Sequence, residues 1–389
     1  MRSRTNCSIS RGEVYAWARD GVLQAKLVRD HGWLCTAAVV LGIVLRAAGR
    51  SISVSAACRD LGRGPSDEAV MTALEDTLPK TLPVLERRLN EALVGYVPRW
   101  MRRRAWETAI DLHLAPYYGQ PFKSRNELYY GPEKQGTQQF HAYASACIVQ
   151  YGRRYTIALT WVQRHESMVV VLRRLLSRIR EIGLKIRCLL LDRGFFHVAV
   201  MQLLQAEKLP FLMPVMFRGR RPKKGRPLRG LHWIKRQKAG WYSHTMKNKK
   251  QEVRFSVCVG YRRHRNRKDG KQKRQKLLFA AWRVKGSPTE IRERYRKRFG
   301  IETSFRQMRQ ARIYTCTRQP RLRLFFVAVA LILRNVWVWI HQTRLADGMG
   351  NLLVLHLERL RFKRMLDWIV GEVEALFPDA STTCGARPP

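Results

Sequence analysis

The stretch KIRCLLLDRGFFHVAVMQLLQAEKLPFLMPVMF, residues 185–217, decides the fold. KIRCLLLD is short and almost continuously apolar, as suits a strand buried on both faces of a parallel-type sheet. FHVAVMQLLQAEK reads as a helix and LPFLMPVMF as a further strand. The strand leads directly into Asp192, so a carboxylate stands at its end.

Working upstream, SMVVVLRRLLSRIREIG reads as a helix. TAIDLHLAPYY, from residue 108, alternates polar and apolar residues, which is a strand signal. TQQFHAYASACIVQYG and RRYTIALTWVQ read as two more strands. Three strands, helix, strand, helix, strand is the order of a ribonuclease H-like α/β core. Further upstream, residues 33–78 read as helices, with a Gly-Arg-Gly-Pro break after residue 61 and Ser66 as N-cap of SDEAVMTALEDTL. Short helix, Gly-containing turn and capped helix outline a helix-turn-helix; a plain three-helix bundle fits the same pattern.

Downstream the pattern changes. Residues 218–285 are intensely basic, with Glu252 and Asp269 the only acids. RGRRPKKGRPLRG reads as a flexible loop. GWYSHTMK, QEVRFSVCVGYRR and KLLFAAWRVK read as strands, the last two separated by the charge run 262–276. A helical pattern resumes at Thr289 and runs through Arg309. The expected organisation is a helical DNA-binding domain at 1–104, a first core part at 105–217, and a basic β-rich insertion at 218–287. The second core part, with a glutamate-bearing helix, follows at 288–345, and a helical segment and tail at 346–389.

Lys and Arg number 74 against 29 Asp and Glu, a net charge of +45 over 389 residues, while 46% of residues are hydrophobic. The chain is therefore globular rather than a disordered basic tail. Self-repulsion on this scale points to a polyanionic partner, and nucleic acid fits best. The eight cysteines form no C-x-x-C pair and none lies at zinc spacing from histidine, so they read as reduced thiols of a cytoplasmic, nucleoid-associated protein. No signal peptide is evident. The apolar run at 324–333 is interrupted by Arg334 and Asn335, so it reads as a buried core helix and no membrane partner is expected.

In a ribonuclease H-like sheet the first and fourth strands are neighbours. Asp111 in the first and Asp192 at the end of the fourth would then project at one edge, and Glu302 lies on the helix that crosses it. Phosphodiester cleavage is served by two Mg²⁺ ions, which activate the nucleophile on one side and stabilise the leaving oxygen on the other. Such hard ions take oxygen ligands. Each acid also has a structural reading: Asp192 could end a strand, Asp111 could face solvent, and Glu302 could pair with Arg298 on a helix surface. Glu107 is a rival for the first position. On a continuous helix Tyr295, Arg298, Glu302 and Arg309 fall within an arc of about 60°, beside an apolar stripe of Ile301, Phe305 and Met308. That row reads as one metal ligand flanked by phosphate clamps.

Tyr295, Arg298, Glu302 and a basic residue seven positions later resemble the YREK signature of DDE transposases of bacterial insertion sequences, the insertion-sequence-four superfamily. DLHLAPYYG at Asp111 and LLLDRGFF at Asp192 resemble the two Asp motifs of that family, and a β-rich insertion before the Glu is characteristic of it. The resemblance covers roughly residues 105–340; Arg309 stands where the family has Lys. It implies an enzyme that binds the terminal inverted repeats of its element, frees the ends by hydrolysis and joins the 3′ hydroxyls to target DNA. Asp111, Asp192 and Glu302 would hold two Mg²⁺ (or Mn²⁺). Tyr295, Arg298 and Arg309 would contact phosphate, with Arg193 beside the second Asp. A Trp can stack on a flipped base in this group, so Trp233, Trp241 and Trp282 are candidates, although each could equally be a core residue of a small β-domain. Arg262, Arg263, Arg265, Arg267 and Lys268 read as a phosphate-tracking surface, or as a solvated loop. A homodimer holding two ends in a synaptic complex is implied. The competing functions are another ribonuclease H-like nuclease and a catalytically inactive DNA-binding remnant.

Overall fold

Five helices precede the sheet: α1 (Arg11–Leu23), α2 (Ala37–Arg50), α3 (Val54–Leu61), α4 (Asp67–Thr77) and α5 (Leu82–Gly95). The structure, a computed structural model, describes residues 8–62, 64–217, 227–248, 251–265, 270, 272–348 and 354–377. Thr36, Ser53 and Ser66 cap α2, α3 and α4, each side chain accepting from the backbone N–H three residues on. Residues 40–49 of α2 are all buried. α4 carries Asp67, Glu68, Glu75 and Asp76 and no Lys or Arg, so it offers no cation to a phosphate.

The alternating segment forms β1 (Ala105–Pro116). It is followed by β2 (Tyr129–Lys134), β3 (Thr137–Ile148), β4 (Thr156–Val162), α6 (Met168–Glu181), β5 (Lys185–Leu191), α7 (Val198–Ala206) and β6 (Phe211–Pro214). The core strands lie in the order β4-β3-β1-β5-β6. β1 is antiparallel to β3 and parallel to β5, which is parallel to β6. This is the ribonuclease H-like order expected from the sequence. Cys188–Leu191 of β5 are fully buried, as their unbroken apolar character requires. β2, a hairpin strand on the outer edge of β3, was not expected; Gly131 and Pro132 inside it mask its pattern.

Beyond a short α8 (Gly230–Ile234), the insertion supplies β7 (Gly240–Asn248), β8 (Gln251–Arg265) and β9 (Gln272–Trp282). These are the expected strands, but they extend the core sheet: β9 pairs antiparallel with β6, so the sheet runs on through β9, β8 and β7. The charge run 262–276 also differs from its expected form. Arg262–Arg265 and Gln272–Lys276 are ladder residues of β8 and β9, because backbone pairing depends on N–H and C=O groups and not on side-chain polarity. The loop expected at 218–230 lies outside the described residues up to 226.

The helical pattern expected from Thr289 to Arg309 is two helices, α9 (Pro288–Arg296) and α10 (Phe299–Met308). Between them, bonds from Arg298 N–H to the Tyr295 carbonyl and from Ile301 N–H to the Arg298 carbonyl, both 2.9 Å, tighten the chain into i→i+3 turns. The rotation of about 100° per residue therefore does not carry across this point.

The chain closes with α11 (Pro320–Thr343) and α12 (Phe362–Ala375). α11 is long and apolar enough to cross a membrane, but 89% of its most apolar stretch is buried in the fold. Its polar residues bind backbone inside that core. Asn335 donates to the carbonyls of Leu93 (2.8 Å) and Thr156 (2.7 Å) and accepts from Thr156 N–H (2.9 Å). Asn90 of α5 likewise donates to and accepts from Leu159. Two side-chain amides thus satisfy backbone groups of the edge strand β4, which the helices cover. α12 crosses α2 closely: a Cβ on Gly49 would come within 2.5 Å of the Val370 side chain.

Candidate active site

The last paired positions of β1 and β5 toward the site are Ile110 and Leu191, so Asp111 and Asp192 follow side by side at adjacent strand positions. Glu107 and Asp111, four residues apart on β1, share a face of the sheet. α9 and α10 lie across that face and are held to it by ion pairs. Glu107 accepts from Arg294 Nε (2.6 Å) and Lys297 Nζ (2.9 Å), and Asp111 accepts from Arg298 (3.1 Å). The same Arg298 guanidinium also donates to Glu302. Two carboxylates remote in sequence therefore converge on one positive charge.

Burial pushes the Asp111 carboxyl up to about 6; Arg298 draws it down and the nearby Asp192 pushes it further up. Burial opposes the charge of Arg298, but Tyr295, Asp111, Glu302 and Asp192 hold its pKa above the ordinary arginine value. Asp192 is fixed by its own turn. Its Oδ1 accepts from Gly194 N–H at 2.7 Å, and a Cβ on Gly194 would meet that oxygen at 2.9 Å. Glycine is therefore needed two residues after the aspartate.

Among the described residues no three His, Cys, Asp or Glu side chains are spaced to hold a metal ion. Asp111 and Glu302 are instead bridged by Arg298, on opposite sides of its guanidinium. The donor types suit Mg²⁺, since all three are carboxylates, two of which already share one cation. The rival Glu107 is committed to Arg294 and Lys297.

A groove of about 960 Å³ opens beside Asp192 and Arg298 and runs onto the extended sheet. Arg193, Arg262, Arg263, Lys276 and Arg296 are among its walls. Arg193, Arg262 and Arg263 are all exposed. The Arg265 side chain, Arg267 and Lys268 lie outside the described residues.

The remaining expected site residues make other contacts. Tyr295 is buried, and its hydroxyl donates to the Leu191 carbonyl at 3.1 Å. Arg298 is 8% exposed and pairs with two carboxylates. Arg309 follows the end of α10, past the turn that breaks the expected row. None of the three tryptophans lines the groove beside Asp192. Trp241 donates to the Gly286 carbonyl (2.8 Å), Trp282 lies opposite Phe211 in the sheet, and Trp233, half exposed, packs edge-on to Tyr242. Four other aromatic rings line it: Phe279 and Tyr295, both buried, and Phe217 and Phe299, 37% and 50% exposed, the exposed pair having been missed by sequence reasoning. The signal for Phe299 was present: Ile301, Phe305 and Met308 form the buried stripe, and Phe299 falls outside it.

A mixed sheet of this order, with two aspartates side by side at neighbouring parallel strands and a glutamate on the crossing helix, defines the ribonuclease H-like class. The chain belongs to the transposase DDE domain family, which matches residues 104–335. Its fold is also similar to that of a piggyBac transposase, solved by cryo-EM as a synaptic complex with hairpin DNA. The TM-score is 0.53 at 12% identity, over 94% of this chain and 78% of that one. No curated protein matches the chain in sequence.

Proposed function

We propose that this protein is a transposase that cuts the ends of its own insertion element and joins the freed 3′ hydroxyls to target DNA. One observation carries the reading: Asp111 and Glu302 converge on Arg298, itself in the wall of a groove lined by arginine and lysine. Membership of the transposase DDE domain family supports the same chemistry.

Asp111, Asp192 and Glu302 would hold the divalent metal ions. Bound there, Mg²⁺ supplies an activated nucleophile and stabilises the leaving oxygen. The remaining work falls to the chain. Arg193, Arg262, Arg263 and Lys276 bind backbone phosphates and orient the strand along the groove. The Gly194 N–H holds the Asp192 carboxylate in one rotamer, and Tyr295 holds the strand end that carries it. A homodimer holding two ends in a synaptic complex is part of this reading.

The test is to incubate the protein with cloned element ends, target DNA and Mg²⁺, and to repeat with Asp192→Ala. End cleavage and strand transfer by the wild type, with cleavage lost and DNA binding kept in the variant, is the expected result. Nicking of generic structured DNA without strand transfer would make it another ribonuclease H-like nuclease. Binding without cleavage would make it an inactive remnant.

A further inference from the structure

We propose that Arg298 is a tethered cation that bridges Asp111 and Glu302 in the DNA-free protein, and that it leaves them for a DNA phosphate, so that DNA binding opens the carboxylates to metal. The proposal rests on the transposase reading only for the nature of the polyanion and the metal.

Three observations carry it. First, Arg298 spans the two carboxylates, donating to Asp111 at 3.1 Å and to Glu302. A divalent ion taking oxygens from both would lie against the guanidinium, and two cations so close repel each other strongly. Guanidinium and metal are therefore alternative occupants of one place.

Second, Arg298 is also a wall residue of the basic groove, next to Asp192, Arg296 and Phe299. A phosphate lying in that groove comes within reach of the same side chain and can accept from it in a fork, as carboxylates do. The neighbouring Arg193 and Arg296 would bring the phosphate there.

Third, the bridged state leaves Arg298 incompletely bonded. Its Nε is buried and has no hydrogen-bond partner. A buried donor without a partner favours any rearrangement that satisfies it. The residue also sits in the i→i+3 turn between α9 and α10 and outside the regular ladder of either helix. Only a side-chain rotation is needed to exchange partners.

The experiment measures Mn²⁺ binding by the free-ion EPR signal, with the full chain, with and without a short blunt DNA duplex. Wild type is compared with Arg298→Gln and Arg298→Lys. In the absence of DNA, Arg298→Gln is expected to bind Mn²⁺ more tightly than wild type, on the order of tenfold. Adding the duplex is expected to tighten Mn²⁺ binding by wild type and to leave the Gln variant unchanged. Melting in EDTA should show the Gln variant less stable than wild type, with Mn²⁺ restoring the difference. Equal or weaker Mn²⁺ binding by a folded Gln variant overturns the proposal. If that variant does not fold, wild type and Arg298→Lys decide it: Mn²⁺ affinity indifferent to DNA in both overturns it. Because the readout is metal binding, a protein that fails to transfer strands can still pass, and a transposase can still fail.

Discussion

The Tyr295 hydroxyl donates to the carbonyl of Leu191 at 3.1 Å, tying the last turn of α9 to the last residue of β5, one position before Asp192. The ring packs on Phe279 of β9 at 5.0 Å, so one side chain joins helix, core strand and insertion strand. Tyr295→Phe keeps the ring and removes one neutral hydrogen bond, at a cost of about 0.5–1.5 kcal/mol. The expected result is a lowered urea midpoint, slower end cleavage and unchanged DNA affinity. A tyrosine that clamps phosphate would give the opposite split: weaker DNA binding with stability unaltered.

Glu107 holds Arg294 and Lys297 and is mostly buried, whereas Lys297 is exposed. Glu107→Gln should destabilise by about 1–2 kcal/mol, less than breaking a fully buried pair because solvent screens one partner. Mn²⁺ affinity should stay as in wild type. A loss of metal binding in this variant would move the first ligand from Asp111 to Glu107.

The groove makes a prediction about salt. Arg262→Ala, Arg263→Ala and Lys276→Ala should each weaken binding to any duplex. Each should also reduce the slope of log affinity against log salt by about one unit for every phosphate that is no longer neutralised. Phe299→Ala should leave stability within about 0.5 kcal/mol, since the ring is exposed, yet weaken binding of ends with an unpaired base by about 1–3 kcal/mol. Trp282→Ala should act on stability, because that ring is half-buried in the sheet. Fluorescence anisotropy over a salt series and thermal melts separate these outcomes.

The strand order was legible because the signal lies in single residues and their period. KIRCLLLD suits a doubly buried strand, Asp192 follows from where that strand stops, and Asp111 lies within the alternating strand beside it. Of the ion pairs at the site, Arg298–Glu302 was legible from its i, i+4 spacing, whereas the contact of the same guanidinium with Asp111, remote in sequence, was not. A helical wheel puts Tyr295 and Arg298 on one outward row, yet both are buried in the structure. The insertion shows the reverse problem. Its charges between the expected strands suggested a phosphate-tracking surface or a solvated loop, while the ladder of β8 and β9 is made by backbone groups that sequence polarity does not report.

His141 supplies a test of acid sensitivity away from the carboxylates. It lies on β3, 4% exposed, and its Nε2 is buried without a partner. Burial, and then the charge of Arg323, push its pKa down to about 3. The sign follows from proton counting. Between that value and the ordinary histidine pKa near 6.5, the unfolded chain binds a proton that the folded one refuses. Stability from this group is fully present above about pH 6.5 and falls with decreasing pH, by at most about 1.4 kcal/mol per unit. Urea titrations at pH 7 and pH 5 should show that loss in wild type. His141→Phe removes the titrating group while keeping a ring beside Tyr117, so its stability should fall less between the same two pH values. An unchanged pH dependence in the variant would assign the acid sensitivity to other groups.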